Sequence, residues 1–482
     1  MSKVLVKVSF YTAFLFVSGS LLAQTQTDKP TSDKPWTMEQ CINYAWTSNL
    51  QIKQAEISQK ISKNNLTQSK ANFFPSVTGS ASNTYNYGLT VNPFTNTFAN
   101  SEVTDESFNI SGNLTLFGGF QNINSLKENE LNYQASTMDL QSNKNNIALN
   151  VAQDYLQVLL SKELLAEAMQ QQTVLQAQVE RTSKLVDAGS QAKSNLLDVE
   201  SQEANGEVNV VNAKTQLDIA TLNLAQLLDL DSAQMLTIVV PQIDIPESST
   251  PDNPEVVFTK ALTNQPDVES AHLKWESAEK SAAVSRGSLY PKLLFIAGVG
   301  TGFSTANVNT VGENIASIDT IRTTAPGVSV LFPNYSYVTE IVPFTKQLQN
   351  NKNESFGFQL TIPIFNKLQS NISYQNAKLN EQNAYYSYQI STLTLRKTIQ
   401  QAYADALGAL DKYHAEEKSV ASLQESFNYT KSRFDVGVAT ALDFNTAQTN
   451  LAKAESDLLQ AKYNYVFKVK VLDFYEGKPL KL

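Results

Sequence analysis

The sequence predicts a mainly α-helical chain that also supplies strands to a membrane β-barrel, laid out as two tandem repeats. Three observations carry this. Ala45, Asn49 and Phe74-Pro75 return about 216 residues later as Ala261, Asn264 and Tyr290-Pro291. Phe108 to Phe117, Tyr155 and Gly189 return as Phe356 to Phe365, Tyr403 and Gly437 at a shift of about 248. Beyond the N-terminal segment no apolar run approaches the ~20 residues of a spanning helix. A membrane-embedded part of this chain therefore has to be a closed barrel, the other structure that satisfies its backbone in lipid.

Residues 1–23 read as a signal peptide. Lys3 and Lys7 precede an apolar run from Val8 to Leu22, and Ala23 is the expected cleavage point. The first repeat is placed at 24–230, a proline-rich linker at 231–254 and the second repeat at 255–482. In the first repeat Thr37 is a candidate N-cap for a helix to about Asn72, stopped by Phe73-Phe74-Pro75. Ser76 to Tyr87 reads as a strand, followed by a polar loop from Gly88 to Asp105. Phe108, Ile110, Leu114 and Leu116 then alternate with Asn109, Ser111, Asn113 and Thr115. That period of two fits a barrel wall with one face to lipid and one to water; taken alone, it fits a half-buried strand of a soluble sandwich better.

Gln121 to Ala188 holds no Gly or Pro, so a helix of roughly 100 Å is permitted. Gly189 stops it, and a second helix returns from about Ser194 to Leu230. The second repeat follows the same plan: helix from Glu255 to Ser288, strand from Leu293 to Thr301, a long polar insert at 302–353, and a strand from Phe356 to Ile364. A helix from about Leu368 to Val436 is stopped at Gly437, and a last helix runs from Ala441 to Tyr475. Four strands cannot close a barrel. Two chains would give eight strands and an interior filled by side chains, whereas three would give twelve and an open duct.

Several function classes find no support. Net charge is −9, so no basic face for nucleic acid is indicated. Cys41 is the single cysteine and reads as core. His272 and His414 lack ligand spacing, so no metal or cofactor is expected. Gly298-Val299-Gly300-Thr301-Gly302 precedes a loop rather than a helix, which argues against a dinucleotide site and for small residues in a barrel strand. No nucleophile, base and orienter stand out, and no enzyme is expected. Tyr155 and Tyr403 read as packing residues between helices.

Arg433-Phe434-Asp435-Val436-Gly437, then Ala441-Leu442-Asp443, Ala447-Gln448, Leu451, Ala454, Leu458, Ala461 and Tyr463-Asn464-Tyr465, closely resemble the second helical hairpin of the TolC-like outer-membrane efflux proteins. Trp36 to Ala45, Leu116-Phe117-Gly118-Gly119, Pro363-Ile364-Phe365 and the two-repeat layout agree with it. The resemblance implies a homotrimer with a 12-strand barrel in outer-membrane lipid, continuous with an α-helical barrel in the periplasm. It implies a periplasmic adaptor (membrane fusion) protein at the helical tips and an inner-membrane pump, proton-driven or ATP-driven. The adaptor-facing tips would be Asp187, Ala188, Gly189 and Ser190 with Asp435, Val436, Gly437 and Val438. Asp443 would face the narrow end of the tunnel, where three copies form a ring that attracts cations. Relatives carry a second acid where this chain has Thr446, and Asn195 or Asp198 is the nearest counterpart in the first repeat. Asp443 also suits a plain first-turn role at a helix N-terminus. A second functional reading is a trimeric display or adhesin-like protein whose insert at 302–353 carries the function.

Overall fold

The computed structural model describes residues 35–91, 96, 98–100, 102–231, 236–241, 245, 252–322 and 329–482. The expected signal peptide lies outside the described residues.

The chain begins with α1 (Met38–Ser48) and α2 (Leu50–Ala71). The sequence pattern suggested one helix here. Asn49 divides it: its backbone is extended, and its side chain accepts from the Gln51 and Ile52 amides while donating to the Leu227 carbonyl at 3.0 Å. At the matching position of the second repeat, Gln265 and Pro266 divide α5 (Pro254–Asn264) from α6 (Pro266–Gly287), again against the expectation of one helix. Proline lacks the donor that continuation needs and pushes the preceding residue to extended geometry.

β1 (Ser76–Asn86) rises from α2, the short hairpin β2 (Leu89–Val91) and β3 (Phe98–Asn100) occupies the expected loop, and β4 (Val103–Gly118) returns. β4 starts five residues before the alternating stretch because it pairs with β1 up to Asn86–Val103. α3 (Gln121–Asp187) and α4 (Lys193–Leu227) form the first long hairpin. At 67 residues α3 is about 100 Å long. In the second repeat come β5 (Lys292–Ser304), β6 (Val308–Arg322), β7 (Ser329–Ile341), α7 (Phe344–Asn350), β8 (Asn353–Thr361), α8 (Gln369–Asp435) and α9 (Ala441–Tyr475). The insert, read from the sequence only as a long polar stretch, thus folds as a hairpin plus a short helix. β8 ends at Thr361, so Ile364 lies past the strand and is almost fully exposed. Gly298, Gly300 and Gly302 lie inside β5, as the sequence suggested.

Four strands form one antiparallel sheet in the order β1-β4-β5-β8. Register sorts its faces. Ser76, Thr78 and Ser82 stand opposite Asn113, Ser111 and Ser107, and their side chains hydrogen-bond at 2.8, 3.1 and 2.8 Å. The other face carries Ile110 opposite Val299, and Leu114 opposite Phe295, which is itself opposite Phe358. One wall face is mainly hydroxyl and amide, with Ile296 opposite Asn113 as an exception; the other is mainly hydrocarbon, with Glu354 opposite Val299 near its end.

Below the sheet the principal packing runs α2–α3–α6–α8, and towards the far ends of the long helices α4–α3–α9–α8. The largest core lies where α1, α3, α4 and α9 meet, around Cys41, Ala45, Val151, Tyr155, Leu159 and Leu224. The Tyr155 hydroxyl donates to the carbonyls of Trp36 (3.1 Å) and Val239 (2.8 Å). Ile238, in the segment read as linker, pairs as a parallel bridge with Trp36 and is buried in the same core. Burial pushes the Cys41 thiol up to about 12, so it stays protonated and unreactive. Tyr403 packs only partly buried beside Ala402, Ala406 and Leu472.

Candidate functional site: hairpin tips, groove and open edges

Each long hairpin turns at a glycine in the left-handed region: φ is +74° at Gly189 and +77° at Gly437. A Cβ at either glycine would meet nothing within 4 Å, so the backbone angle, not crowding, selects glycine. Both turns close the same way. The amides of Gly189 and Ser190 donate to Val186 and Leu185, and those of Gly437 and Val438 to Phe434 and Arg433. Asp187, Ala188, Ser190, Asp435, Val436 and Val438 are exposed around them. Val436 and Val438 are 74% and 66% exposed, an unpartnered apolar pair at the very end of the molecule.

Asp443 is the third residue of α9. Its carboxylate accepts from the Thr440 amide (3.0 Å) and hydroxyl (2.7 Å), and its own amide donates to the Thr440 hydroxyl (3.1 Å). This is a capping box, and the Thr440 hydrogen bonds hold the Asp443 carboxyl below its usual range. Asp443 is exposed and ionised, so its capping role leaves its charge available to the surrounding space. Thr446 is exposed one turn on, with its hydroxyl donated to the Leu442 carbonyl at 2.8 Å. Asn195 and Asp198 occupy the first turns of α4, whose N-cap Ala192 offers no side-chain cap.

Two features escaped sequence reasoning. Arg181 Nη1 lies 2.6 Å from Asp435 Oδ1, joining the first hairpin about two turns before its tip to the tip of the second. Higher up, α4 and α9 flank α3 to leave a groove of about 690 Å³, lined by amides including Gln171, Asn205, Asn209, Asn445 and Gln448. Asn445 Oδ1 and Gln448 Oε1 are buried and find no hydrogen-bond donor among the described residues. In the same seam Glu455 meets Glu167 across α9 and α3; burial and that neighbour push the Glu455 carboxyl up to about 7. A run of amides along α9 is a sequence signal for such a groove, but pairing residues of the first and last hairpins needs the fold.

Both layers end in open edges. β1 and β8 are the outer strands of the sheet. Below β1, α2 exposes Leu50, Ile57 and Ile61; below β8, α8 exposes Ile372, Leu379, Tyr386 and Leu393 at heptad spacing.

The profile of the family described as outer membrane efflux protein matches residues 41–229 and 257–477. The chain belongs to that family. Its members are outer-membrane channels and not enzymes. Among individual relatives, the chain is 25% identical over 129 residues to the alkaline protease secretion protein AprF of Pseudomonas aeruginosa, covering 27% of each chain. It is 24% identical over 110 residues to the outer membrane protein TolC of Escherichia coli, covering 23% of this chain and 22% of that one. These alignments span about a quarter of the curated relatives. Structural likeness extends further. The Campylobacter jejuni CmeC outer membrane channel superposes with a TM-score of 0.73 at 16% identity, covering 91% of this chain and 85% of that one.

Proposed function

We propose that this chain forms the outer-membrane duct of a three-part export assembly, as a homotrimer. The observation that carries the reading is the coincidence of open edges. An unpaired edge strand is a standing liability, and here the sheet and helix layers are unfinished on the same two sides. β1 follows α2, and α8 follows β8. A second copy presenting β1 to β8, and α2 to α8, satisfies both layers at once, in a head-to-tail contact that closes only as a ring. Because β1 and β8 run in opposite directions, the new pair is antiparallel like the rest. Three copies make twelve strands, with the hydroxyl and amide face inward around water and the hydrocarbon face outward to lipid.

No nucleotide-binding motif accompanies the duct, so the driving force resides in an inner-membrane pump, proton-driven or ATP-driven. A periplasmic adaptor bridges the two. Val436 and Val438 offer its apolar contact at the tips, with Asp187, Ala188, Gly189, Ser190, Asp435 and Gly437 around them. The groove between α4 and α9 offers a helical segment of the adaptor a seat whose unpaired amide oxygens await donors. At the narrow end Asp443 supplies a ring of charge, with Thr446, Asn195 and Asp198 completing the aperture. The test is particle mass in mild detergent, measured by light scattering. Three chains per particle with ohmic channels in planar bilayers is the expected result; a folded monomer that forms no channels would overturn the proposal.

A further inference from the structure

The β6–β7 hairpin interrupts the barrel sheet at the end remote from the helices. Its register gives it two unlike faces. On one, Ile315 stands opposite Tyr335, Ile318 opposite Pro333 and Glu313 opposite Tyr337, with Leu331 alongside. On the other, more polar face, Asn314 stands opposite Ser336 and Ser317 opposite Asn334, whose amide donates to Ser317 Oγ (3.0 Å) and Asp319 Oδ2 (2.8 Å), with Phe332 and Val338 among its exposed apolar residues. Ile315, Leu331 and Tyr337 are each about 60% exposed. A lone two-stranded hairpin is marginal in water, so a face this apolar calls for something to cover it.

The root of the hairpin says on which side that cover lies. Phe344, at the start of α7, packs 6.5 Å from the Phe108 ring and 5.4 Å from the Phe303 ring. Phe108 stands opposite Thr301, two residues from Phe303, so both belong to the hydrocarbon face of the wall. Thr301, on the same face, donates to the Leu348 carbonyl at 2.6 Å. Gln347 locks this arrangement. Wholly buried, it accepts from the Ser304 amide (3.0 Å) and donates to the carbonyls of Ser304 (3.0 Å) and Val342 (2.8 Å), using the free edge of β5 above the end of β8. The hairpin therefore departs from the lipid side of the wall, not from the lumen side. Tyrosines mixed with branched aliphatic residues suit the boundary between headgroups and acyl chains.

We infer that the apolar face of the β6–β7 hairpin rests on the outer leaflet of the surrounding membrane, as an interfacial flap beside the mouth of the duct rather than a cover over it. This rests on the barrel reading above, and the test separates the two. Tyr335→Trp, with Leu331→Trp as a second probe of the same face, is reconstituted in vesicles containing phospholipid brominated near the headgroup. The native tryptophans, Trp36, Trp46 and Trp275, all lie outside the sheet, and the emission of the unsubstituted protein is subtracted. Phe356→Trp, on the hydrocarbon face of β8, is the control. Bromine should quench the hairpin probes as it does the control, and the apolar surroundings should shift the emission of both to the blue. Quenched control with unquenched, water-like hairpin probes would overturn the inference and place the hairpin over the mouth or against another protein. An unquenched control would overturn the barrel itself, and the inference with it.

Discussion

Removing the ion pair between the hairpins should loosen the tips of the duct. Arg181 and Asp435 lie 2.6 Å apart, with side chains 49% and 39% exposed. A pair this accessible is worth about 0.2–1 kcal/mol. At about 0.5 kcal/mol each, three copies breaking together in a concerted opening sum to roughly 1.5 kcal/mol, about a tenfold change in the ratio of closed to open. Asp435→Asn, which keeps the shape and removes the charge, should raise open occupancy by about that factor in single-channel records. Raising salt from ~0.1 to ~1 M shortens the screening length from ~10 to ~3 Å, so the unsubstituted channel should drift towards the variant while the variant itself responds little. The reversed pair, Arg181→Asp with Asp435→Arg, should recover most of the closed occupancy. Unchanged occupancy in Asp435→Asn, or a reversed pair no better than its single variants, would refute the idea that this contact holds the hairpins together.

Tyr155→Phe strips a buried hydroxyl from two backbone carbonyls and should lower stability by about 1–3 kcal/mol, read as a lower Tm by circular dichroism with the trimer intact. Asp443→Asn and Asp443→Ala separate charge from capping: both should weaken block by multivalent cations if the carboxylate lines the aperture, while only Ala also loses the side-chain acceptor for the Thr440 amide and hydroxyl and melts earlier. Glu455, with its carboxyl raised from 4.5 to about 7, holds its proton more tightly folded than unfolded. Folding is thus unopposed by its charge at low pH and loses stability as pH rises from about 4.5 to about 7. Glu455→Gln should flatten that slope in melting curves taken across the same range.

Much of the scaffold was legible because its punctuation is local. The span from Gln121 to Asp187 is long because no Gly or Pro interrupts it, and it stops where Gly189 supplies the left-handed residue. The last helix likewise begins behind Thr440 and ends at Tyr475, as its pattern indicated. The alternation of β4 identified its two faces before any partner was known. The divisions at Asn49 and Gln265 were also written locally, in a capping asparagine and in Pro266, but a helical apolar pattern continues across both and concealed them. The insert was opaque for a different reason. β6 carries register shifts at Val311 and Ala316, which break the alternation that would announce it as a strand. Asp443 was legible both as a first-turn acid and as an aperture residue; the structure supplies the capping bonds for the first role and leaves the second to the channel measurement.

By itself the sequence determined the repeats, the lengths and ends of the long helices, the two-faced wall and the membership of a channel family, because backbone dihedrals, caps and side-chain periodicity act within a few residues. Only the tertiary structure decided that Arg181 reaches Asp435, that Tyr155 ties Trp36 to Val239, that Glu455 meets Glu167, and that the open edges of sheet and helices stack on the same sides. Each of these joins residues far apart in the chain. Such contacts depend on how preformed elements cross and pack, which no local pattern encodes.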